Sequence, residues 1–469
     1  MNDLHIYESG NEAFRDRMSG VSEDGKRNWF YVSRAKGKFT KYRDLLNYFY
    51  FALFFTLPLI RYNGRPFFML NFPKGEFILF GKIFWPQDFF IFAVGMITLI
   101  VFVVLFTAIY GRLFCGWVCP QTVFMEGLFR KVEWWIEGSP TQQKKLDQSV
   151  WNANKIRKRG TKHLVFLLLS FLIANTFLAY ILGSDELLKI IREPITEHVS
   201  LLTGILVFTG IFYGVFAFVR EIVCTTICPY GRLQSVMLDK NSMQVSYDFV
   251  RGEPRGRINK KEESVTGDCI DCKKCVIVCP TGIDIRDGVQ MECVGCTACI
   301  DACDEVMDKI ERPLGLIRYA SENQIADKVP FKFTTRMKGY SGILVLLMGV
   351  MSFLIFSSRS IDGQVSRIKG QLYQELPDEK ISNLYDAKII NKTNKNLPLQ
   401  FKLTDLSGEI KIVSAHESLL KKESLNEFTF FVILDNKDVK ERSNKIGIDV
   451  IADGKVVQTI KTTFLGPFK

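Results

Sequence analysis

Histidine is scarce in this 469-residue chain, with four copies, and no cysteine lies outside the interval Cys115–Cys303. Twelve cysteines in so long a chain are too few for a disulfide scaffold. Their confinement to one interval points to metal or redox chemistry in a reducing compartment. No Gly-x-Gly-x-x-Gly follows a strand pattern, and there is no phosphate-cradling P-loop. Gly252-Glu-Pro-Arg-Gly256 is a turn-rich stretch with neither context, so no nucleotide site is expected. The first 44 residues lack the apolar core of a secretory signal; they are polar and carry nine Lys or Arg. His163 and His198 flank apolar segments a membrane thickness apart, which excludes their pairing on a b-type haem, and both read as interfacial residues. His5 and His416 have no recognisable context.

The chain does contain charge of one sign and long apolar runs. Net charge is +11, while the hydrophobic fraction of 47% is ordinary for a soluble protein. Five uncharged apolar runs cover Leu45–Ile60, Phe89–Tyr110, Leu164–Gly183, Val199–Val219 and Tyr340–Ser357. A spanning helix needs about 20 residues, so five transmembrane helices are expected, the first being short and containing Pro58. Lys and Arg number nine in 1–44, three in 62–88, ten in 111–162, two in 184–197 and eighteen in 220–339. The strict alternation puts 1–44, 111–162 and 220–339 in the cytoplasm by the positive-inside rule. It also accounts for the basic charge without nucleic acid. The segment 62–88, with Tyr62 and Trp85, reads as a loop on the outer membrane surface.

The first four runs form a duplicated hairpin. The second ends in Gly-Arg-Leu-Phe-Cys115-Gly-Trp-Val-Cys119-Pro120, the fourth in Arg-Glu-Ile-Val-Cys224-Thr-Thr-Ile-Cys228-Pro229. Internal repeats place sites where the halves meet, so the two Cys-x3-Cys-Pro pairs are expected to approach each other near the cytoplasmic surface. Pro welcomes the first helical position, which makes Cys119 and Cys228 helix caps, where a thiol pKa is lowered. Beyond a polar stretch at 358–380, expected to be a linker or short helix, the period changes to two. Six or seven short strands from about Asn383 suggest an immunoglobulin-like β-sandwich. That sandwich has no Cys and no Met and is expected to dock a partner or stabilise the protein.

The strongest motif is Cys269-x2-Cys272-x2-Cys275-x3-Cys279-Pro280, repeated as Cys293-x2-Cys296-x2-Cys299-x3-Cys303. In two-cluster ferredoxins three closely spaced thiolates wrap one cubane and the fourth ligand comes from the paired run. One 4Fe–4S cluster is therefore predicted on Cys269, Cys272, Cys275 and Cys303, the other on Cys293, Cys296, Cys299 and Cys279. The second run has Asp304 where Pro is usual, which leaves the following turn open. Four further thiols at Cys115, Cys119, Cys224 and Cys228 suit Cu(I), zinc or an iron–sulfur cluster. Beside two electron carriers a redox role is favoured: a copper site, a dithiol relay or a third cluster.

Phe84-Trp-Pro-Gln-Asp88, Cys115-Gly-Trp-Val-Cys-Pro-Gln-Thr122, Cys224-Thr-Thr-Ile-Cys-Pro-Tyr-Gly231, Gln234-Ser-Val-Met237, Tyr247-Asp248 and Arg251-Gly-Glu-Pro-Arg-Gly256 resemble the CcoG/FixG/RdxA family, from about Leu45 to the end. The resemblance implies a multi-pass protein of the bacterial inner membrane that reduces Cu(II) to Cu(I) in copper delivery and in assembly of cbb3-type cytochrome c oxidase. By carry-over, the eight ferredoxin cysteines hold two 4Fe–4S clusters, and Cys115, Cys119, Cys224 and Cys228 are the copper-facing or relay thiols. Oxidase subunits, copper chaperones or transporters become the implied partners, with the electron donor unnamed. Two other readings stay open. One is a quinol-oxidising relay resembling the membrane subunits of nitrate or nitrous-oxide reductase systems. The other is a non-redox scaffold that docks partners through the sandwich.

The expected architecture is thus multi-domain. It comprises a cytoplasmic segment (1–44), a four-helix membrane domain (45–240), an inserted two-cluster ferredoxin domain (241–339), a fifth transmembrane helix (340–357), and a periplasmic linker with the sandwich (358–469).

Overall fold

The computed structural model describes residues 20–467 other than 21–23, 25, 73–74, 86–88, 257–265, 329, 331–333, 358–359, 369, 371, 378, 394, 405 and 414–418. His5, His416, Pro86, Gln87 and Asp88 lie outside the described residues. Two compact units emerge: Met1–Asn71 with Phe92–Val350, and Phe72–Ile91 with Met351–Lys469.

In the first unit the leading apolar run differs from expectation. Helix α1 (Lys38–Thr56) begins seven residues before Leu45 and takes in Lys38, Lys41, Arg43 and Asp44. It stops ahead of Pro58, whose ring restrains the preceding residue, and the chain finishes as a 3-10 turn at Leu57–Leu59. Among the described residues, four helices are long and apolar enough to cross a membrane. The first is α2 (Phe89–Tyr110). It is apolar on all sides, yet little of it is buried within the protein, the combination that suits a lipid-facing helix. Short helices α3 (Leu113–Trp117) and α4 (Pro120–Phe124) follow, and a π-helical turn carries α4 into α5 (Arg130–Glu137). The remaining candidate spans are α6 (Ala153–Leu182), α7 (Val199–Gly214, extended by a π turn to Val219) and a helix at Thr335–Ser357. After α7 the chain forms α8 (Pro229–Met237).

Aromatic rings hold α4–α7 together. Phe129 stacks on Phe216 at 4.4 Å and meets Phe166 edge-on at 4.9 Å. Beside them sits a buried ion network. Glu133 pairs with Arg220 at 2.6 Å and Lys162 at 3.4 Å, Lys162 with Glu137 at 2.9 Å, and Arg130 with Glu126 at 2.8 Å. The cations hold the Glu133 carboxyl down to about 2, even though burial pushes it the other way. The guanidinium groups of Arg27 and Arg220 both lie over the Trp29 ring, at 4.6 and 4.7 Å from its centroid.

The cysteine-rich insert closes on a two-stranded ribbon, β1 (Gln244–Tyr247) against β2 (Ile317–Ala320). Between these strands lie α9 (Lys274–Ile277) and α10 (Ala298–Lys309). Its core gathers Val245, Ile283, Ile300, Met307, Leu316 and Ile317. Asp304 does not interrupt the second run. Helix α10 continues through it, and its carboxylate accepts the Gly315 N–H at 2.9 Å.

The second unit is dominated by two antiparallel sheets. Their strands are β3 (Ile361–Arg367), β4 (Gln374–Leu376), β5 (Lys380–Asn391), β6 (Leu397–Leu403), β7 (Gly408–Ile412), β8 (Leu419–Leu420), β9 (Ser424–Asp435), β10 (Ser443–Ala452) and β11 (Lys455–Leu465). One sheet runs β7-β9-β5-β3 with β4 added to β5; the other runs β8-β6-β10-β11. Alternating Tyr385, Ala387 and Ile389 on β5 and Phe428, Phe430, Val432 and Leu434 on β9 fill the core with Ile446, Ile448 and Val450 from β10. Tyr385 reaches across and donates to the Thr463 carbonyl at 2.9 Å. The expected linker at 358–380 is corrected here: Ile361 and Val365 alternate inward and make β3 and β4 part of the sandwich. The expected surface loop at 62–88 contains short hairpins, Arg61–Tyr62 with Arg65–Pro66 and Glu76–Leu79 with Lys82–Phe84.

Candidate metal centre

The two ferredoxin runs take the same backbone path. In the first, Asp271 and Lys273 have φ of 51° and 55°; in the second, Gly295 and Thr297 have 68° and 62°. Left-handed residues at matched positions turn successive N–H groups inward and form nests, the concavities that hold anionic iron–sulfur clusters. One cavity is lined by Cys269, Cys272, Cys275 and Cys303; another by Cys279, Cys293, Cys296 and Cys299, with Cys275 on its wall. The structure therefore brings Cys303 to the first run and Cys279 to the second, an arrangement that fits a four-thiolate cubane in each. Burial pushes the Cys275, Cys293 and Cys303 thiols up to about 12 and Cys279 to about 11. Metal binding at such thiols must release their protons.

The four remaining thiols share one site. Cys115 stands electrostatically close to Cys119 and Cys228, and Cys224 to all three. Proline starts α4 directly after Cys119 and α8 directly after Cys228, so each thiol residue is a helix N-cap. At Cys119 the expected drop in thiol pKa is corrected, since burial pushes that thiol up; burial also pushes Cys115 and Cys224, which cap no helix, to about 12. Desolvation of the anion outweighs the small partial charge of a short helix. Cys115 Sγ donates to Gln234 Oε1 at 3.0 Å; Gln234 is fully buried and donates in turn to Thr107 at 3.2 Å.

This site lies directly on the second ferredoxin run. A Cβ on Gly116 would stand 2.5 Å from the Gly295 carbonyl oxygen, so only glycine permits the approach. Cys115 and Cys224 pack in the same apolar cluster as Cys296 and Cys299. Arg112 donates to the carbonyls of Met291, Gly231 and, at 3.3 Å, Cys293. Trp117 donates to Tyr319 at 3.1 Å, and Tyr319 to the Gly295 carbonyl at 3.3 Å. From the other side, Arg43 of α1 donates to the Cys296 carbonyl at 2.6 Å. Asp301, between two ligand positions of α10, accepts from Phe39 N at 3.1 Å and from Thr40 N and Oγ1, both at 2.6 Å.

Arg43, Asp301 and Tyr319 escaped the sequence reading, and Arg112 and Gln234 entered it only as parts of motifs, with no role assigned. Polar residues in a basic segment read as solvated, although Trp29-Phe-Tyr-Val32 is an aromatic signal that a docked N-terminal segment leaves. His163 and His198 sit at opposite ends of the α6–α7 pair. His198 contacts Glu193 at 2.6 Å, and with Glu197 these supply the one set of three such ligand atoms within 4.8 Å of one another among the described residues. The four thiols are spread more widely.

Residues 219–322 match the family of 4Fe-4S dicluster domains, 92–138 a family of 4Fe-4S binding domains, and 351–467 the family described as the IG-like fold at the C-terminus of FixG. The chain is 39% identical over 311 residues to the nitrogen fixation protein FixG of Rhizobium meliloti, an alignment covering 64% of this chain and 59% of FixG. It is 32% identical over 423 residues to protein RdxB of Cereibacter sphaeroides, covering 86% and 87% of the two chains. With RdxA of the same organism it shares 34% over 334 residues, 68% and 69% of the two.

Proposed function

Because the chain belongs to the FixG/RdxA family of iron–sulfur electron-transfer proteins, we propose that it reduces Cu(II) to Cu(I) at the bacterial inner membrane. In this reading it supplies Cu(I) for assembly of a cbb3-type cytochrome c oxidase. The observation that carries the reading is the packing of the four-thiol site on the second ferredoxin run through Gly116 and Gly295. The bound 4Fe–4S clusters, on the eight ferredoxin cysteines as assigned, would take up and release one electron at a time, and Cu(II) needs one. Cys115, Cys119, Cys224 and Cys228 would receive the copper, since thiolates hold Cu(I) best. Arg112 and Gln234 would keep their loops in register with the ferredoxin.

Charge asymmetry supports the proposed topology. The N-terminus and ferredoxin domain would be cytoplasmic and the sandwich periplasmic, with α1 as a fifth, shorter span and α1–α2 and α6–α7 as the duplicated hairpins. The domain limits 1–44, 45–240, 241–339, 340–357 and 358–469 belong to the same proposal. The sandwich would dock oxidase subunits or copper-handling proteins.

A second reading has its own support. A single tetrahedral ion with metal–sulfur bonds of about 2.3 Å needs sulfurs roughly 3.8 Å apart, and no three of the four thiols are gathered within 4.8 Å. That width, with the match of 92–138 to 4Fe-4S binding domains, favours a third cubane on the same cysteines. Iron, sulfide and copper would be measured per chain on protein purified without air, for wild type and a variant with all four thiols changed to Ala. Eight irons in both, with copper held only by wild type, supports the copper site. Twelve irons falling to eight supports the third cluster. A cluster-loaded, pre-reduced protein that leaves Cu(II) untouched for hours would sink the reductase.

A further inference from the structure

Candidate spans α6 and α7 carry a polar pair at their basic end, where α6 begins with Lys155, Arg157, Lys158, Arg159 and Lys162. Tyr213 Oη hydrogen-bonds His163 Nδ1 at 2.9 Å. Phe218 lies nearly parallel to the imidazole at 5.9 Å and edge-on to the phenol at 5.8 Å. His163 and Tyr213 are half-buried, and Phe218 is 52% exposed. A hydroxyl, an imidazole and a flat ring with an open face are thus grouped on the outer surface of two apolar helices. A ligand reaching them from the lipid needs an apolar tail, a ring that stacks and a hydroxyl to hydrogen-bond. Quinols have these features.

We propose that a membrane quinol docks on α6 and α7 at His163, Tyr213 and Phe218 and is the electron donor to the sulfur sites. The inference rests on the reading of those sites as an electron relay and goes beyond it by naming the donor. The chain itself links the pair to the thiols. Phe218 and Cys224 are six residues apart across a helix break at Arg220, whose φ is 55°, so their separation is at most roughly 22 Å of extended chain. Two residues past Phe218, the Arg220 carbonyl accepts from Gln121 at 3.3 Å, and Gln121 is two residues from Cys119. The chemistry balances with the chain's own groups. The quinol hydroxyl gives its proton to Tyr213 Oη as the tyrosine proton passes to His163 Nδ1. The second proton leaves to water at the basic interface. Two electrons leave one at a time, reduce two oxidised centres, and quinone is the product.

The test uses full-length, cluster-loaded protein without air, with decylubiquinol and reduced menadione as donors. Wild type should lose its visible iron–sulfur absorbance on addition of quinol, and Tyr213→Phe and His163→Leu should slow this roughly 100-fold, the scale of a lost proton acceptor. Dithionite should bleach all three alike. Binding is read separately by quenching of the fluorescence of the quinol analogue heptylhydroxyquinoline N-oxide, expected with wild type and lost in His163→Leu. No bleaching and no quenching in wild type would overturn the proposal, and so would equal responses in wild type and both variants. Quinol bleaching without Cu(II) reduction would remove the copper reading and leave this site standing. Cu(II) reduction by dithionite-reduced protein that ignores quinol would do the reverse.

Discussion

The electrostatic setting of the two clusters differs in a way that a single substitution can expose. Arg43 donates to the Cys296 carbonyl at 2.6 Å and is half-buried. Arg112 holds the Cys293 carbonyl in the same loop. Near the first run, Arg286 is neutralised by Asp271 at 2.5 Å and Asp284 at 2.6 Å. Among the described residues neither Arg43 nor Arg112 forms a salt bridge, though Glu292 offsets part of the Arg112 charge; the Arg43 charge favours an added electron on the second run. At an effective dielectric near 20, unit charges about 8 Å apart interact by about 2 kcal/mol. For a one-electron couple, at about 59 mV per tenfold change in equilibrium, this corresponds to roughly 85 mV. Replacing Arg43 with Met should lower the potential of one cluster by about that amount and shift the other by less than roughly a third as much. Arg43→Lys retains the charge and should fall in between. The assay is a redox titration followed by electron paramagnetic resonance, on variants first shown to keep wild-type iron content and melting temperature. Equal shifts of both potentials, or no shift with Arg43→Met, would refute the reasoning.

Other consequences can be checked directly. Gly116→Ala forces a Cβ to 2.5 Å from the Gly295 carbonyl; it should cost roughly 1–3 kcal/mol and slow Cu(II) reduction while iron in the ferredoxin runs stays at eight, measured by melting and iron assay. Tyr385→Phe removes the hydrogen bond to Thr463 that crosses the sandwich, a loss of about 1 kcal/mol in denaturant unfolding of the C-terminal transition; an unchanged midpoint would count against it. Glu133 ionises near 2 in the fold, against 4.5 ordinarily. Because its folded pKa is depressed, its contribution of roughly 3 kcal/mol is complete above pH 4.5 and is lost as pH falls towards 2. Glu133→Gln should therefore destabilise at pH 7 and match wild type near pH 2, followed by thermal melts across that range.

Much of the site was readable from spacing. Three cysteines at intervals of three, twice over, dictate two local nests, and only chain reversal between them is needed to bring Cys279 and Cys303 into the opposite cavities. The repeat of Cys-x3-Cys-Pro likewise foretold the meeting of Cys115, Cys119, Cys224 and Cys228. The sandwich followed from its alternation, but β3 was lost because Ile361-Asp-Gly-Gln-Val365 is polar at two positions in five and shows its pattern only once Ile389 packs on Gly363. Nothing local marked Arg43 or Asp301, whose partners lie 253 and 262 residues away in sequence. The pKa direction at Cys119 was misjudged because sequence shows a helix start and not how little water reaches it.

The anchoring of α1 by Asp301 sets an order on biogenesis. The carboxylate that binds Phe39 and Thr40 is made 262 residues after Phe39, and at roughly 5–20 residues per second the ribosome takes on the order of 13–52 s to produce it. Throughout that interval the N-terminal segment has no partner at its helix start. Asp301 sits on α10 between Cys299 and Cys303, so the docking of the first helix waits on the last part of the cluster-binding fold.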